Sequence, residues 1–222
     1  MSVRVLAVDT TTERGSVAVT EGDSVSGEVR LLSSEGHSRR LLPAVDFLLQ
    51  SLGLRAADLD AFAVTTGPGS FTGLRVGLST VQGLALGTGK PCLGVSALDV
   101  LAARNAGAAS AIVALMDAYR GEVYGALYDG EGGIVGPASV GRPDTIVARA
   151  PEIAAFVGDG APRHRELILS LRPRALFPVR SLFLAGTLGR LAAPRLARGE
   201  GVPPASLRPL YLREPDIRRP AP

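Results

Sequence analysis

Apolar runs that end at an aspartate occur twice along this 222-residue chain. The first lies in Val3 to Asp9 and is followed by a polar turn and a second apolar run, Ser16 to Thr20. The same order recurs in Ala111 to Asp117, a short turn, and Glu122 to Tyr128. Short apolar runs bounded by turn residues are typical of buried strands. The pattern therefore predicts two β-hairpins, each of which begins one half of the chain.

Further strand signals and then helical ones follow each hairpin, which predicts two α/β lobes with mixed sheets flanked by helices. This duplicated plan resembles the actin, sugar-kinase and Hsp70 fold. We place the boundary near residue 103, where Asn105-Ala106-Gly107 breaks the pattern, so that residues 1–103 form the first lobe and 104–222 the second. Prolines are frequent from Pro203 onward, and because proline interrupts helices and central strands, we expect an extended strap over the lobes there.

Two predicted helices of the first lobe are unusually apolar. Between Leu41 and Leu52 the apolar side chains cover roughly 220° of a helical wheel, and only Asp46 and Gln50 form a polar edge. The second helix, from about Thr72 to Leu86, has an apolar face and a set of small residues that permit close helix approach. In a lobe of this size we expect the helix pair to pack on another chain as well as on its own sheet. The alternative is that both helices are buried within the lobe.

A glycine-rich stretch, residues 66–77 (Thr-Gly-Pro-Gly-Ser-Phe-Thr-Gly-Leu-Arg-Val-Gly), leads from a predicted strand into the second of these helices. Glycines allow another backbone or a ligand to come close, and Ser70 or Thr72 can cap the first helical N–H groups. The stretch is not a phosphate-binding P-loop, because Leu74 occupies the position of the required lysine. The dinucleotide-binding pattern fails too, since Gly67 and Gly69 are followed by Thr72 in place of a third glycine.

Together with four further motifs, this stretch resembles the bacterial TsaB (YeaZ) family. The other motifs are Leu6 to Glu13, His37 to Pro43, Asp117 to Tyr124 and Pro209 to Arg213. Members of that family are accessory subunits in the synthesis of threonylcarbamoyladenosine on transfer RNA. The resemblance implies a non-catalytic subunit with an actin-like fold. It would help to transfer the threonylcarbamoyl group to N6 of adenosine 37 in transfer RNAs that read ANN codons.

The resemblance also implies partners. Family members pair through the two first-lobe helices, with themselves when alone and with the catalytic TsaD-type subunit in the working complex. A small P-loop ATPase, TsaE, is the third partner, and transfer RNA is bound through the complex. ATP and Mg²⁺ are then used by partner subunits, with no cofactor bound firmly by this chain. The residues expected at the partner surface are His37, Leu42, Phe47, Leu49, Leu74, Gly77, Leu78 and Val81.

Asp9 and Asp117 leave a second function open, that of a stand-alone ATP-dependent kinase or acyl transferase. In proteins of the actin-like fold the corresponding turns surround ATP phosphates and a metal, and a carboxylate at a strand end can hold Mg²⁺ through waters. Against this, the first turn reads Thr10-Thr11-Thr12 where kinases of the fold use a glycine, and Gly158-Asp159-Gly160 is only the nearest candidate for an adenosine-binding segment. The simpler interpretation is that both aspartates cap their own turns.

Metal chemistry has little support, because the chain contains two histidines, His37 and His164, and one cysteine, Cys92, without metal-ligand spacing. We therefore predict no metal site. One cysteine also excludes an internal disulfide, and no apolar run reaches the length of a membrane span. A cytoplasmic protein without a membrane partner is expected.

The formal net charge of +3 hides an asymmetry. Residues 161–222 contain twelve arginines and four acidic residues, so that segment carries +8 and the first 160 residues carry −5. A basic segment can contact nucleic acid through phosphates. The alternative is that arginine is simply the general surface cation of this protein, since Lys90 is its only lysine. The sequence lacks the aromatic pattern that accompanies base stacking, which favours this second interpretation.

Overall fold

The computed structural model describes residues 2–32 and 36–213. Its first sheet has five strands in the order β3-β2-β1-β4-β5. They are β1 Arg4–Asp9, β2 Arg14–Glu21, β3 Ser24–Leu32, β4 Ala61–Gly67 and β5 Cys92–Ser96. The central strand β1 runs antiparallel to β2 and parallel to β4. The mixed sheet and the first hairpin predicted from the sequence are thus present.

The second sheet repeats this arrangement with four strands in the order β8-β7-β6-β9. They are β6 Ala111–Asp117, β7 Val123–Asp129, β8 Ile134–Gly141 and β9 Ala155–Val157. Strand β6 pairs antiparallel with β7 and parallel with β9, as β1 does with β2 and β4. Three short helices accompany this sheet: α4 Pro143–Val147, α5 Gly160–Arg163 and α6 Arg165–Leu171. The duplication predicted from the two hairpins is therefore a property of both sheets.

Helices cover both faces of the first sheet because successive strand side chains point to opposite sides. Leu6 and Val8 of β1 pack in a core with α1 (Leu41–Ser51) and α2 (Phe71–Thr88). Val5 and Ala7 face the opposite core, which contains α3 (Ala97–Arg104) and α7 (Ala185–Ala197) together with residues of β6. The central strands β1 and β4 consequently carry continuous apolar runs.

The sequence-based assignment of residues 104–222 to the second lobe needs correction at α7. This helix contacts β1, β2 and β4 of the first sheet, and Gly189 packs directly on Thr20 of β2. Farther along, Val202 pairs with Cys92 at the start of β5. The chain therefore returns to the first lobe after residue 184. An apolar helix face can pack on either sheet, so the pattern alone did not show which one it covers. Pro215, Arg218, Arg219, Pro220 and Pro222 of the predicted strap lie outside the described residues.

Candidate functional site

The outer surface of α1 and α2 is the first candidate site. Helix α1 turns Leu41, Ala44, Val45, Leu48 and Leu49 toward the sheet, which leaves Leu42 and Phe47 on the outside with 53% and 64% of their surface exposed. Both are apolar, and an exposed phenylalanine on a helix face is a typical anchor for a protein partner. The outward face of α1 thus carries apolar side chains that the protein's own core does not use.

Ser70 caps the start of α2, and its hydroxyl accepts a hydrogen bond from the Gly73 N–H (3.2 Å), as predicted from the capping pattern. Its inner face buries Leu74, Leu78, Val81 and Ala85 on the first sheet. Val76 and Leu84 are half-buried at the flank of the helix, and Leu86 is exposed. We call the outer surface of the two helices the helix-pair surface. Its exposed apolar side chains in this set are Leu42 and Phe47 on α1 and Leu86 on α2, while Val76 and Leu84 are half-buried against the core.

This geometry corrects most of the predicted partner-binding residues. Leu42 and Phe47 lie on the helix-pair surface as expected. The others are buried inside the lobe, where they hold the helices on the sheet: His37, Leu49, Leu74, Gly77, Leu78 and Val81. The helical wheel identified a wide apolar arc, but it did not show which part of that arc the sheet covers. These six residues therefore serve the packing of the lobe, and other residues form the exposed surface of the two helices.

His37 has a positioning role at the start of α1. Its imidazole is 4% exposed, lies against Gly15, and has Nε2 2.7 Å from the carbonyl oxygen of Thr12. Its own carbonyl accepts hydrogen bonds from the N–H groups of Arg40 (3.1 Å) and Leu41 (2.9 Å), which begin the helix. His37 therefore fixes the entry of α1 relative to the turn between β1 and β2.

A polar cleft of about 320 Å³ between the two lobes is the second candidate site. Both hairpin turns, the glycine-rich loop and α5 contribute side chains to it. Its lining residues are Thr11, Thr12, Glu13, Arg14, Gly69, Ser70, Met116, Asp117, Tyr119, Asp159 and Arg163. A stand-alone kinase of the actin-like fold would bind ATP in this cleft. The placement of Asp9 and Asp117 therefore decides whether the cleft has the carboxylates that such a kinase needs.

Asp9 does not reach the cleft. Its carboxylate is fully buried, and Oδ1 accepts hydrogen bonds from the Thr11 N–H (3.2 Å), the Thr11 hydroxyl (2.8 Å) and the Thr65 hydroxyl (2.7 Å). Oδ2 has no hydrogen-bond partner among the described residues. Burial raises the pKa of this carboxyl, and the three hydrogen bonds oppose that rise only in part. The prediction that Asp9 faces a nucleotide is corrected, because the carboxylate caps its own turn and ties it to β4.

Asp117 does line the cleft, but its carboxylate is already engaged. Oδ1 accepts a hydrogen bond from the Tyr119 N–H (3.0 Å), and the other oxygen forms an ion pair with Arg163. The Asp117 N–H in turn donates to Asp159 Oδ1 (3.2 Å), and burial raises the pKa of the Asp159 carboxyl. The Arg163 contact was not foreseen, since an ion pair 46 residues apart leaves no local signal in the sequence.

The glycine-rich loop packs directly on the first hairpin turn. A Cβ at Gly69 would collide with the Thr11 carbonyl, and one at Gly73 with the Thr10 carbonyl. The Thr10 hydroxyl donates to the Gly73 carbonyl (2.8 Å), and the Ser70 N–H donates to the Thr11 carbonyl (2.8 Å). The glycines therefore serve close contact between backbones, and the start of α2 occupies the space beside this turn.

The arginines of the basic segment are largely committed to the protein's own structure. Arg172 donates to the carbonyls of Ala148 (2.6 Å) and Ala150 (2.8 Å), while Arg165 lies 4.1 Å from the ring centre of Phe177.

Within residues 2–32 and 36–213, no group of three or more potential metal ligands is present. No helix in the same part of the chain is long and apolar enough to cross a membrane.

The two sheets and the cleft between them define a two-lobed α/β protein of the actin-like class. Its fold is similar to that of an inorganic polyphosphate/ATP-glucomannokinase from an Arthrobacter strain, with a TM-score of 0.52, 14% identity, and 89% of this chain and 99% of that chain covered. At that identity the likeness concerns the fold alone.

More similar proteins identify the family. The model for TsaD, tRNA N6-adenosine threonylcarbamoyltransferase, matches residues 24–154. The solved structure of YeaZ from Pseudomonas aeruginosa superimposes with a TM-score of 0.79 at 33% identity, covering 95% of this chain and 100% of that one. The Escherichia coli tRNA threonylcarbamoyladenosine biosynthesis protein TsaB is 43% identical over 57% of this chain, a match that spans 55% of the E. coli protein. The chain belongs to the TsaB (YeaZ) family.

Proposed function

We propose that this protein is a non-catalytic subunit in the synthesis of threonylcarbamoyladenosine on transfer RNA. In this role it dimerises with a catalytic TsaD-type subunit and supports the transfer of the threonylcarbamoyl group to adenosine 37. The observation that carries the proposal is the helix-pair surface, which presents Leu42 and Phe47 to the outside of a TsaB-family chain. Apolar side chains in this position bind a partner by leaving water together with the partner's own apolar residues.

The cleft supports a non-catalytic role over the alternative kinase. A metal-dependent kinase needs carboxylates that face the nucleotide, whereas Asp9 is fully buried and Asp117 is paired with Arg163. The start of α2 lies against the first turn through Gly69 and Gly73, in the place where a phosphate-binding turn needs open space. In this proposal ATP and Mg²⁺ are used by partner subunits, among them a small P-loop ATPase of the TsaE type.

The same surface explains two assemblies. The protein forms a homodimer through α1 and α2 when it is alone, and the TsaD-type subunit replaces the second copy in the working complex. Transfer RNA is then recognised through the complex in the cytoplasm. Competition between the two assemblies follows, because one helix-pair surface serves both.

The test is reconstitution with the TsaD-type subunit, the TsaE-type ATPase and the enzyme that makes threonylcarbamoyl-adenylate, all from the same organism. Threonylcarbamoyladenosine in transfer RNA is measured by mass spectrometry with and without this chain, and complex formation by gel filtration. We expect a stoichiometric complex with the TsaD-type subunit and modification that depends on this chain. Full modification without it would refute the proposal, and Mg²⁺-dependent ATP binding by the isolated chain at micromolar affinity would favour the kinase.

A further inference from the structure

The segment after residue 203 crosses from the first lobe to the second. Its first part is fixed to the first lobe, where the Gln82 side chain donates to the carbonyls of Pro204 (3.0 Å) and Leu207 (3.3 Å), and Leu207 is buried. The Leu210 N–H then donates to the carbonyl of Thr66 (2.8 Å) at the end of β4. This bond places the segment beside the glycine-rich loop, one wall of the cleft.

The next three residues contact both lobes in turn. The ring of Tyr211 stacks on Phe71 at the start of α2, with 5.6 Å between ring centroids. Leu212 packs against the core that residues of β1 and β6 share. Arg213 reaches the second lobe, where Nη1 donates to the Ala118 carbonyl (3.0 Å) and the guanidinium forms an ion pair with Glu122. Four consecutive residues therefore join the two walls of the cleft.

Arg213 holds a turn that is conformationally costly. Tyr119, Arg120 and Gly121 have φ values of 58°, 57° and 77°, and the left-handed region is unfavourable for the first two because of their Cβ atoms. Such a conformation persists where surrounding contacts impose it. The Arg213 contacts fall on both ends of this turn, at Ala118 and Glu122. The same turn carries Asp117 and Tyr119 into the cleft.

We propose that Leu210–Arg213 form a clasp that sets the separation of the two lobes across the cleft and maintains the left-handed turn of the second lobe. Release of the clasp removes the aromatic contact at the start of α2 and the ion pair at the turn, so both walls of the cleft gain freedom together. The inference concerns the isolated chain and is independent of the proposed function. It identifies Tyr211 and Arg213 as positioning residues for the cleft.

Hydrogen–deuterium exchange of the full chain tests the clasp. The reporters are three cleft amides with backbone partners: Ala118 (to the Glu122 carbonyl, 3.0 Å), Glu122 (to Tyr119, 3.0 Å) and Ser70 (to Thr11, 2.8 Å). In the double variant Tyr211→Ala/Arg213→Ala we expect these amides to exchange about tenfold faster, the factor that corresponds to the loss of one charge-assisted hydrogen bond. Amides in the centre of β6 and β7 should be unaffected.

Arg208→Ala is the matched control, because Arg208 belongs to the same segment but donates to the carbonyls of Ala205 and Leu207 within it. It should leave all three reporters unchanged. Equal exchange of the reporters in the double variant and the parent would overturn the clasp, as would an equal increase in Arg208→Ala. If the double variant loses protection throughout the core, the single variant Arg213→Gln replaces it as the test. The Ala118 and Glu122 amides of Arg213→Gln should then exchange faster than in the parent, relative to the amides of β6. Unchanged exchange of Ala118 and Glu122 would overturn the proposal.

Discussion

Asp9 shows how a residue type that signals chemistry in the sequence becomes structural in the fold. An aspartate at the end of a buried strand suggested a metal-facing carboxylate, and only the neighbouring Thr11 and the distant Thr65 turn it inward. A cap by Asp9 on its own turn, which contains Thr11, was one interpretation of the sequence. Thr65 was not, because its contact arises from the parallel pairing of β1 with β4, which brings together residues 56 positions apart.

The burial of Asp9 makes a pH-dependent prediction. Because burial raises the pKa of the folded carboxyl above that of the unfolded chain, the folded state binds the proton more tightly. That stabilisation is complete below the unfolded pKa and is lost as the pH rises through the folded pKa. In Asp9→Asn this titration is absent, so the unfolding free energy of the parent should fall relative to the variant as the pH rises from about 4, the ordinary pKa of aspartate, until the folded carboxyl is ionised. Urea unfolding across this range measures the difference. Parallel curves for Asp9→Asn and the parent would contradict the prediction.

The glycines of α2 give a second prediction at the residue scale. A Cβ at Gly73 collides with the Thr10 carbonyl, which belongs to a tightly held turn, whereas a Cβ at Gly83 on the same helix meets nothing within 4 Å. We expect Gly73→Ala to lower the unfolding free energy by about 2–3 kcal/mol, as overpacking does. Gly83→Ala should raise it by about 0.5–1 kcal/mol, since alanine favours the helix. Equal effects of the two substitutions in urea unfolding would show that the close approach at Gly73 is unimportant.

At the scale of elements, strands and helix starts could be read from the sequence, but the faces of the helices could not. The two hairpins and the capped start of α2 were predicted because each depends on neighbouring residues. Which part of the apolar arc of α1 and α2 faces solvent depends on how the helices lie on the sheet. That is fixed by contacts such as Gly77 with Thr10 and His37 with Gly15, which have no local signature.

The helix faces lead to a prediction about association. Leu42→Asp combined with Phe47→Asp should leave the fold intact, since both side chains are exposed, and should weaken binding to the TsaD-type subunit at least about tenfold. Leu78→Asp should instead destabilise the monomer by about 3 kcal/mol or more, because Leu78 is 5% exposed and the new charge is buried. Isothermal calorimetry measures the affinity for the TsaD-type subunit, and unfolding followed by circular dichroism measures the stability of the monomer.

Ile134→Asp is the control for these surface substitutions. Ile134 is an exposed apolar residue of the second lobe, 68% exposed on β8, and it lies outside the helix-pair surface. Its replacement should change neither folding nor binding. Normal binding by a folded Leu42→Asp/Phe47→Asp protein would show that the partner uses another surface.

For the whole molecule, the sequence predicted two lobes and their common plan but not how the last forty described residues connect them. The duplication was visible because it repeats a local strand-turn-strand pattern. The return of α7 to the first sheet, and the crossing of Leu210–Arg213 to the second lobe, depend on contacts between residues up to 169 positions apart, such as the Ala185 N–H with the Ser16 hydroxyl. The prolines predicted an extended strap over the lobes from Pro203 onward, but they gave no information on the residues that the strap contacts.

The arginines of that segment carry the last prediction. Arg163 is paired with Asp117, Arg165 stacks on Phe177, and Arg172 donates to the carbonyls of Ala148 and Ala150. Guanidinium groups held in this way serve the fold, so we expect Arg172→Gln to lower the unfolding free energy by about 1–2 kcal/mol, because its hydrogen bonds to the exposed Ala148 carbonyl and the part-buried Ala150 carbonyl are lost. Arg174→Gln should have little effect, because Arg174 is exposed.

If these arginines served transfer RNA instead, neutralising them would reduce the salt dependence of RNA binding by the assembled complex. Each phosphate contact that is lost lowers the slope of log affinity against log salt concentration by about one. We expect the slope to stay unchanged when Arg163, Arg165, Arg172 and Arg174 are all replaced by glutamine in a complex that remains folded. A slope reduced by two or more, at equal complex stability, would assign this segment to the RNA interface. The unchanged slope would leave transfer RNA recognition to the partner subunits, in agreement with the arginine contacts inside the second lobe.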